Sequence, residues 1–189
     1  NLEFIDVAFG ANCWIVAEGF GDFDPASTAG SAARRVLRST DDGATWGVEY
    51  SKTLRNWGVV TFENGLFVVA GWKNQDDTVL SSSDGMSWSV TSSITRDSPH
   101  SVTYTGSVWL LGGTRLLDSS ANPSAPFSQW QDLKAQFLTG DFNIYAMASN
   151  AGITVAVGNT DNWNPAGTGF LRRTQSNGQV WEAVTLKPG

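Results

Sequence analysis

The segment Ser39-Thr40-Asp41-Asp42-Gly43-Ala44-Thr45-Trp46 is a short polar turn that ends on a tryptophan. Similar turns lead to Trp88, Trp130 and Trp181, so the four tryptophans are 42, 42 and 51 residues apart (46 to 88, 88 to 130 and 130 to 181). Self-similarity at a period of about 40–50 residues is typical of chains built from repeated structural units. The sequence therefore predicts four tandem units.

Each of these turns is preceded by two short apolar runs that flank a tight polar turn. In the second unit the runs are Val60–Phe62 and Leu66–Ala70, and Glu63-Asn64-Gly65 separates them. β-Branched and aromatic residues favour strands, and an Asn-Gly turn between two such runs favours a β-hairpin. A third run precedes each tryptophan turn and a fourth follows it. The predicted fold is all-β: a β-propeller of four four-stranded antiparallel blades, with the repeated turn between strands 3 and 4.

The whole chain, residues 1–189, is predicted to form a single β-propeller domain. Its blades are expected at about 1–51, 52–94, 95–135 and 136–189. Three outcomes stay open: a ring that closes alone, association with another copy, and an open arc within a longer protein. The first is favoured because no strand is missing from any unit, and no helix is predicted.

The first turn matches the pattern Ser-x-Asp-x-Gly-x-Thr-Trp at every defined position. The chain therefore resembles the Asp-box, or BNR-repeat, β-propellers, which include sialidases and proteins of phage tails and bacterial surfaces. In the second copy, residues 81–88, Ser83 is expected at the aspartate position. The fourth copy, 174–181, keeps glycine and tryptophan, and the third, 119–130, is stretched. The resemblance implies that the box lies opposite the binding face, so Asp41 and Asp84 are expected to be structural.

The composition excludes several classes of protein. The 189 residues are 41% hydrophobic and 16% charged, which is sufficient for a packed core, and the net charge of −6 argues against nucleic acid as a partner. No apolar stretch is long enough to cross a bilayer, so membrane insertion is not expected. The one cysteine, Cys13, is expected to be a buried apolar residue. Few lysines and many Ser, Thr, Asn and Gly residues suit an extracellular or virion-associated protein.

The predicted binding surface is the propeller face that carries the longer connections, those after strands 2 and 4 of each blade. Loops on a rigid scaffold commonly carry recognition. An exposed tryptophan between two amides, as at Trp163, could stack on a sugar ring, although it could equally fold inward. The candidate ligand-binding residues are Asn162, Trp163, Asn164, Trp57, Trp72, Arg55, Arg96 and Arg115.

No catalytic residue is predicted. The resemblance to sialidases implies an arginine triad and a tyrosine activated by a carboxylate, yet no glutamate is placed beside Tyr145, and Glu18 lies in another blade. His100 is the one histidine, so it has no histidine partner for a metal or a catalytic pair, and an edge role is expected. No cofactor is expected. Asp22 and Asp24, with the pair Asp76 and Asp77, are too few acids to claim a calcium site.

The sequence thus predicts a non-catalytic module that recognises glycan or protein through the loop-rich face, as part of a phage or cell-surface structure. The alternative is a structural subunit that assembles with other copies in a particle or filament. A sialidase-like glycoside hydrolase is the less favoured hypothesis.

Overall fold

The computed structural model describes residues 2–20, 33–53, 56–73, 76–92, 98–160 and 167–185. Within these ranges the chain forms sixteen strands, one short α-helix and a 3-10 turn. The strands are β1 (Leu2–Gly10), β2 (Cys13–Phe20), β3 (Ala33–Ser39), β4 (Gly47–Thr53), β5 (Asn56–Glu63), β6 (Leu66–Lys73), β7 (Asp76–Ser82), β8 (Ser89–Ser92), β9 (Pro99–Tyr104), β10 (Trp109–Gly113), β11 (Leu116–Ser120), β12 (Gln131–Asp132), β13 (Phe142–Asn150), β14 (Ile153–Thr160), β15 (Gly169–Thr174) and β16 (Glu182–Ala183).

Successive strands pair into four antiparallel sheets of four strands each. Sheet 1 has the order β1-β2-β3-β4, sheet 2 β5-β6-β7-β8, sheet 3 β9-β10-β11-β12 and sheet 4 β13-β14-β15-β16. This organisation confirms the predicted fold class, a β-propeller with four four-stranded antiparallel blades. The sequence did not predict the helix α1 (Lys134–Phe137), which lies in the connection after β12, where Phe137 is buried.

The chain forms two compact units. Unit 1 comprises residues 1–99 and 123–127, and unit 2 comprises residues 100–122 and 128–189. Unit 1 therefore contains sheets 1 and 2 with the stretched part of the third tryptophan turn. Ser124, in that stretch, shares a hydrogen bond with Ser81 and accepts one at its carbonyl oxygen from Thr91. The single-domain boundary stays a prediction.

Each unit has its own hydrophobic core between its two sheets. In unit 1, Ile15 and Ala17 of sheet 1 pack with Phe67 and Val69 of sheet 2, and Cys13 is fully buried in the same cluster, as expected. The core of unit 2 is formed by these buried residues: Leu110, Leu117, Leu133, Phe137, Phe142, Ile144, Met147, Ala156 and Trp181. Alternation along the second strand of each sheet supplies many of these residues, because every other side chain points to the same face.

The first strand of sheets 1, 2 and 4 contains a bulge at equivalent positions. The pairing register shifts between Phe4 and Asp6, between Trp57 and Val59, and between Ile144 and Ala146. A bulge inserts one residue and changes which residues oppose each other beyond it. The three bulges therefore set the register at the far end of each hairpin, where the longer connections begin.

The first tryptophan turn is held by its own side chains. Asp41 Oδ1 accepts hydrogen bonds from the Ser39 hydroxyl (2.8 Å) and from the backbone N–H of Thr45 (2.9 Å). The Trp46 indole N–H donates to the carbonyl of Gly43 at 2.9 Å, and Gly43 has a φ of 85°, which only glycine adopts easily. Hydrogen bonds from the Thr45 side chain and backbone, with one from Ser39, lower the pKa of Asp41 to about 2. Asp41 therefore acts as a structural residue, as predicted.

The second turn corrects the sequence alignment. Asp84, not Ser83, occupies the aspartate position, because its Oδ1 accepts from the Ser82 hydroxyl (2.9 Å) and from the backbone N–H groups of Met86 (2.8 Å) and Ser87 (2.9 Å). The backbone hydrogen bonds, that of Ser87 foremost, lower the pKa of Asp84 to about 2. Between the equivalent serine and the tryptophan, Ser82 to Trp88 is one residue shorter than Ser39 to Trp46. An alignment of the two turns on glycine and tryptophan does not show this difference.

The fourth turn repeats the geometry without a carboxylate. Ser176 Oγ accepts from the backbone N–H of Val180 at 2.8 Å, as Asp41 does from Thr45, and Ser176 N–H donates to Thr174 Oγ1 at 3.2 Å. The Trp181 indole N–H donates to the carbonyl of Gly178 at 2.8 Å. A hydroxyl can thus replace the aspartate because the turn needs a short side-chain acceptor rather than a charge.

Candidate functional site

The antiparallel order gives every sheet two ends with different connections. We call the end that carries the hairpin turns and tryptophan turns the turn edge, and the end with the connections after strands 2 and 4 of each sheet the loop edge. The turn edge is occupied by short turns whose polar groups bond to one another. By sequence, the predicted ligand-binding residues belong to the connections of the loop edge or to the strand ends beside them.

Most of the predicted ligand-binding residues lie outside the described part of the chain. Asn162, Trp163 and Asn164 fall in the connection after β14, and Arg55 and Arg96 fall in connections after β4 and β8; all five lie outside the described residues. The base of the first connection is described: Thr160 N–H donates to the carbonyl of Thr168 at 2.9 Å. This hydrogen bond brings together the two ends of the segment that holds Trp163.

Trp57 and Trp72 lie at the loop edge of sheet 2, as expected. Their backbones pair across β5 and β6, Trp57 with Gly71 and Trp72 with Asn56. Their side chains lie outside the described part of the structure. The proposed stacking of either ring on a sugar therefore stays a prediction.

In unit 1 the loop edge of sheet 1 contains an ion pair between Glu18 and Arg35. Glu18 is fully buried, and its Oε2 accepts from the Arg35 Nε at 2.8 Å and from the Arg35 backbone N–H at 3.0 Å. Its Oε1 accepts from Arg35 Nη2, also at 2.8 Å. The hydrogen bonds from Arg35 lower the pKa of Glu18, against the opposing effect of burial. This carboxylate is therefore ionised. Its hydrogen bonds to Arg35 hold β2 against β3 at the loop edge, so Glu18 has a structural role.

In unit 2 the loop edge holds a chain of neutral hydrogen-bonding side chains. Thr114 Oγ1 donates to Asn143 Oδ1 at 3.1 Å, and His100 Nε2 lies 3.1 Å from the same Thr114 oxygen. Because the hydroxyl has one proton and gives it to Asn143, its oxygen accepts from His100 Nε2–H. Burial lowers the pKa of His100, so the neutral imidazole is favoured.

Asn159 completes this group, which we call the amide cluster (His100, Thr114, Asn143 and Asn159). Asn159 stands opposite Asn143 in the β13 and β14 pairing. Its Oδ1 is buried and has no hydrogen-bond partner among the described residues. Buried polar atoms are satisfied in the great majority of cases, so this acceptor has room for a donor that the described residues do not supply.

Arg115 is the predicted ligand-binding residue whose side chain the structure describes. It is exposed, and its backbone N–H donates to the carbonyl of Phe142 at 2.8 Å, directly beside Asn143. Its φ of 47° lies in the left-handed region, so the turn between β10 and β11 holds it in an unusual backbone conformation. The structure therefore brings Arg115 next to the amide cluster.

The amide cluster was not recognised as a site from the sequence. His100 was assigned an edge role, and Thr114, Asn143 and Asn159 were given no function. A hairpin without a bulge would pair Asn143 with Thr160, whereas the register shift between Ile144 and Ala146 places Asn143 opposite Asn159. Hairpin periodicity alone could not have found this pair, because the bulge changes the alignment by one residue.

Tyr145, weighed as a sialidase-like nucleophile, lies at this bulge and is 53% exposed. Within the described ranges, no group of three or more His, Cys, Asp or Glu side chains is placed to hold a metal ion. Asp22 and Asp24 lie outside those ranges, as do the side chains of Asp76 and Asp77. No helix in the described part of the chain has the length and apolar character needed to span a membrane.

Neither a protein-family model nor a curated protein sequence matches this chain. Solved structures match it in fold. An α-L-arabinofuranosidase from Clostridium thermocellum aligns with 97% of this chain and 72% of its own length, at 9% identity and a TM-score of 0.53. A nidogen/laminin complex aligns with 82% of this chain and 72% of its own, at 13% identity and a TM-score of 0.52.

A bifunctional GH43-CE protein of Bacteroides eggerthii also matches, over 95% of this chain, at 10% identity and a TM-score of 0.50. This chain spans only 27% of that protein's length. At such identities the likeness shows the fold alone, a propeller, and no match bears on membership of the Asp-box family.

The comparison contradicts the expectation that the chain is not an enzyme. That expectation was argued from the incomplete set of sialidase residues, whereas the similar folds include an α-L-arabinofuranosidase and a GH43-CE protein. At 9% and 10% identity these matches show that glycosidases share this propeller fold, so the fold gives no ground for the expected absence of catalysis.

Proposed function

We propose that the chain is a glycan-recognition propeller that binds carbohydrate at the loop edge of unit 2. The observation that carries the proposal is the buried Asn159 Oδ1 beside Asn143 in the amide cluster, which has no hydrogen-bond partner among the described residues. Leaving a buried acceptor unsatisfied costs about 1–3 kcal/mol, which a ligand donor would recover on binding. A sugar hydroxyl is such a donor.

The chemistry of the cluster favours a neutral, hydroxyl-rich ligand over a charged one. Asn143, Thr114 and His100 supply amide, hydroxyl and neutral imidazole groups, and each can donate or accept. Ligand sites of this kind use a few placed polar groups for orientation and aromatic surfaces for contact area. Trp163, which follows Asn159 closely along the chain, is the predicted stacking residue, and Arg115 adds one cation at the rim.

The experiment is a glycan array followed by calorimetry with the best-bound oligosaccharide. Asn159→Ala should reduce the association constant at least tenfold, because the ligand hydroxyl loses its acceptor. Asn150→Ala is the matched control: the same residue type in the same β13 and β14 hairpin, exposed at the turn edge. It should bind as the unaltered chain does. Equal losses in both variants, or an array without any ligand, would refute carbohydrate binding at this edge.

Glycoside cleavage should be measured on the same samples with aryl arabinofuranosides and xylosides. The propeller fold of an α-L-arabinofuranosidase is the reason for choosing pentosides. Release of the aryl group would make the chain a hydrolase acting on its ligand, and unchanged glycoside with retained binding would limit the function to recognition.

Three finer aspects of the sequence interpretation remain proposals. Membership of the Asp-box propellers is supported by the repeated geometry at Asp41, Asp84 and Ser176, where each side chain caps the same turn. The proposed place outside the cell or on a virion is supported by composition alone. The alternative role as an assembly subunit is supported by exposed apolar sheet faces.

A further inference from the structure

The sequence contains two Asn-Gly pairs, and both lie in tight turns with the same backbone conformation. Asn64 and Gly65 have φ angles of 49° and 73°, and Asn177 and Gly178 have φ angles of 55° and 84°. Positive φ at both central residues is characteristic of the type I′ turn, which Asn-Gly favours. The two pairs match in sequence and in local conformation, so any difference in their chemistry must come from their surroundings.

Asn64 and Gly65 form the exposed tip of the β5–β6 hairpin. The register pairs Glu63 with Leu66, so the loop consists of these two residues alone. Both are exposed, and the Asn64 side chain has no hydrogen-bond partner among the described residues. A Cβ built on Gly65 would have no atom within 4 Å, so nothing packs against this side of the turn. A hairpin tip with so few contacts opens locally at a low free-energy cost.

The second pair is held in place by its neighbours in unit 2. The Thr105 hydroxyl donates a hydrogen bond to Asn177 Oδ1 at 2.8 Å, so this side chain is not free to turn. Gly178 is buried, and a Cβ built on it would lie 3.0 Å from a methyl carbon of each of Leu110 and Leu133. Opening this turn would break the hydrogen bond and uncover part of the core of unit 2.

An asparagine followed by glycine loses its side-chain amide in water without an enzyme. The backbone nitrogen of the glycine attacks the asparagine Cγ, and the new N–Cγ bond replaces the bond to the amide nitrogen. That nitrogen leaves as ammonia, together with the proton of the glycine N–H. Water then opens the succinimide ring at one of its two carbonyl carbons, which gives aspartate or isoaspartate, and no group is oxidised or reduced. The reaction needs a free asparagine side chain and a turn that can change its conformation.

We propose that Asn64 is a site of spontaneous deamidation in the folded chain and that Asn177 is protected from it. The product at Asn64 carries a carboxylate, and its isoaspartate form adds one carbon to the backbone at the tip of the hairpin. Older molecules therefore gain a negative charge at the turn edge of sheet 2. This inference does not depend on carbohydrate binding.

The test is incubation of the folded chain in mildly alkaline buffer, followed by peptide mapping with mass spectrometry. Each conversion adds one mass unit, and chromatography separates the isoaspartate peptide from the aspartate peptide. Asn64 should convert at least tenfold faster than Asn177, because its turn opens more readily. In guanidinium chloride the two sites should convert at similar rates, since their surroundings are lost. Equal rates in the folded chain, or faster conversion at Asn177, would overturn the proposal.

Gly65→Ala tests the mechanism at the reacting pair. The added methyl group hinders attack by the backbone nitrogen, so conversion of Asn64 should slow at least tenfold. Gly152→Ala is the matched control, because Gly152 lies in the β13–β14 turn with a φ of 79° and, like Gly65, has no atom within 4 Å of a built Cβ. It introduces the same backbone strain and should leave the rate at Asn64 unchanged. Circular dichroism checks that both variants are folded, and conversion of Asn64 at the unaltered rate in Gly65→Ala would contradict the proposal.

Discussion

The two edges of the sheets are held by different kinds of contact. At the turn edge, the polar contacts of the first tryptophan turn join residues at most four apart, such as Ser39 with Gly43 and Asp41 with Thr45. At the loop edge the contacts join distant residues, Glu18 with Arg35 and Thr114 with Asn143. The first tryptophan turn is therefore built by local sequence, whereas these loop-edge contacts exist only when the strands are in register.

The largest expected effect comes from breaking the register at the loop edge. A Cβ at Gly158 would overlap the backbone carbonyl oxygen of Asn143, which cannot move without separating β13 from β14. Gly158→Ala should lower the free energy of unfolding by about 4 kcal/mol or more. The measurement is urea denaturation followed by fluorescence.

Gly169→Ala is the control for that substitution. Gly169 also lies in sheet 4, but the nearest atom to its Cβ would be the Gly158 carbonyl oxygen, at an ordinary 3.9 Å. Its stability should change by less than about 1 kcal/mol. Similar stabilities for both variants would contradict the assigned β13 and β14 register.

An intermediate effect is expected within the turn edge, where two equivalent tryptophans differ in burial. Trp181 is 7% exposed and packs edge-on against Phe137, with 4.9 Å between the ring centroids. Trp46, in contrast, is 39% exposed. Both indoles donate the same hydrogen bond to a glycine carbonyl. Trp181→Ala should cost about 3–5 kcal/mol and Trp46→Ala about 1 kcal/mol, by thermal and urea unfolding. Equal costs would mean that the shared hydrogen bond, not burial, dominates.

The smallest effect is expected from the charge at the turn edge. The pKa of Asp41 is lowered to about 2, so the stability that its ionised form contributes is present above its usual value of 3.8 and is lost as the pH falls towards 2. In Asp41→Asn, the fall in melting temperature as the pH drops from 3.8 to about 2 should be smaller by a few degrees.

Thr40→Ala is the control for this substitution, because Thr40 lies in the same turn and its side chain is exposed. It should keep the full acid dependence of the unaltered chain. A profile for Asp41→Asn that matches the unaltered chain would show that this carboxylate contributes nothing through its charge.

The sequence determined the repeat, the four hairpins and the turn chemistry. The spacing of Trp46, Trp88, Trp130 and Trp181 and the alternation of apolar residues require only local periodicity, which is why the strand order was predictable. One local error, Ser83 in place of Asp84, arose because a turn can lose a residue and keep its acceptor.

The tertiary structure alone decided the amide cluster and the direction of sheet packing. The bulge between Ile144 and Ala146 moved Asn159 opposite Asn143, and the packing of separate sheets left Val155 exposed while burying Ala156. Neither follows from periodicity, because register and face are properties of paired strands, and pairing is fixed by contacts between residues far apart in the chain.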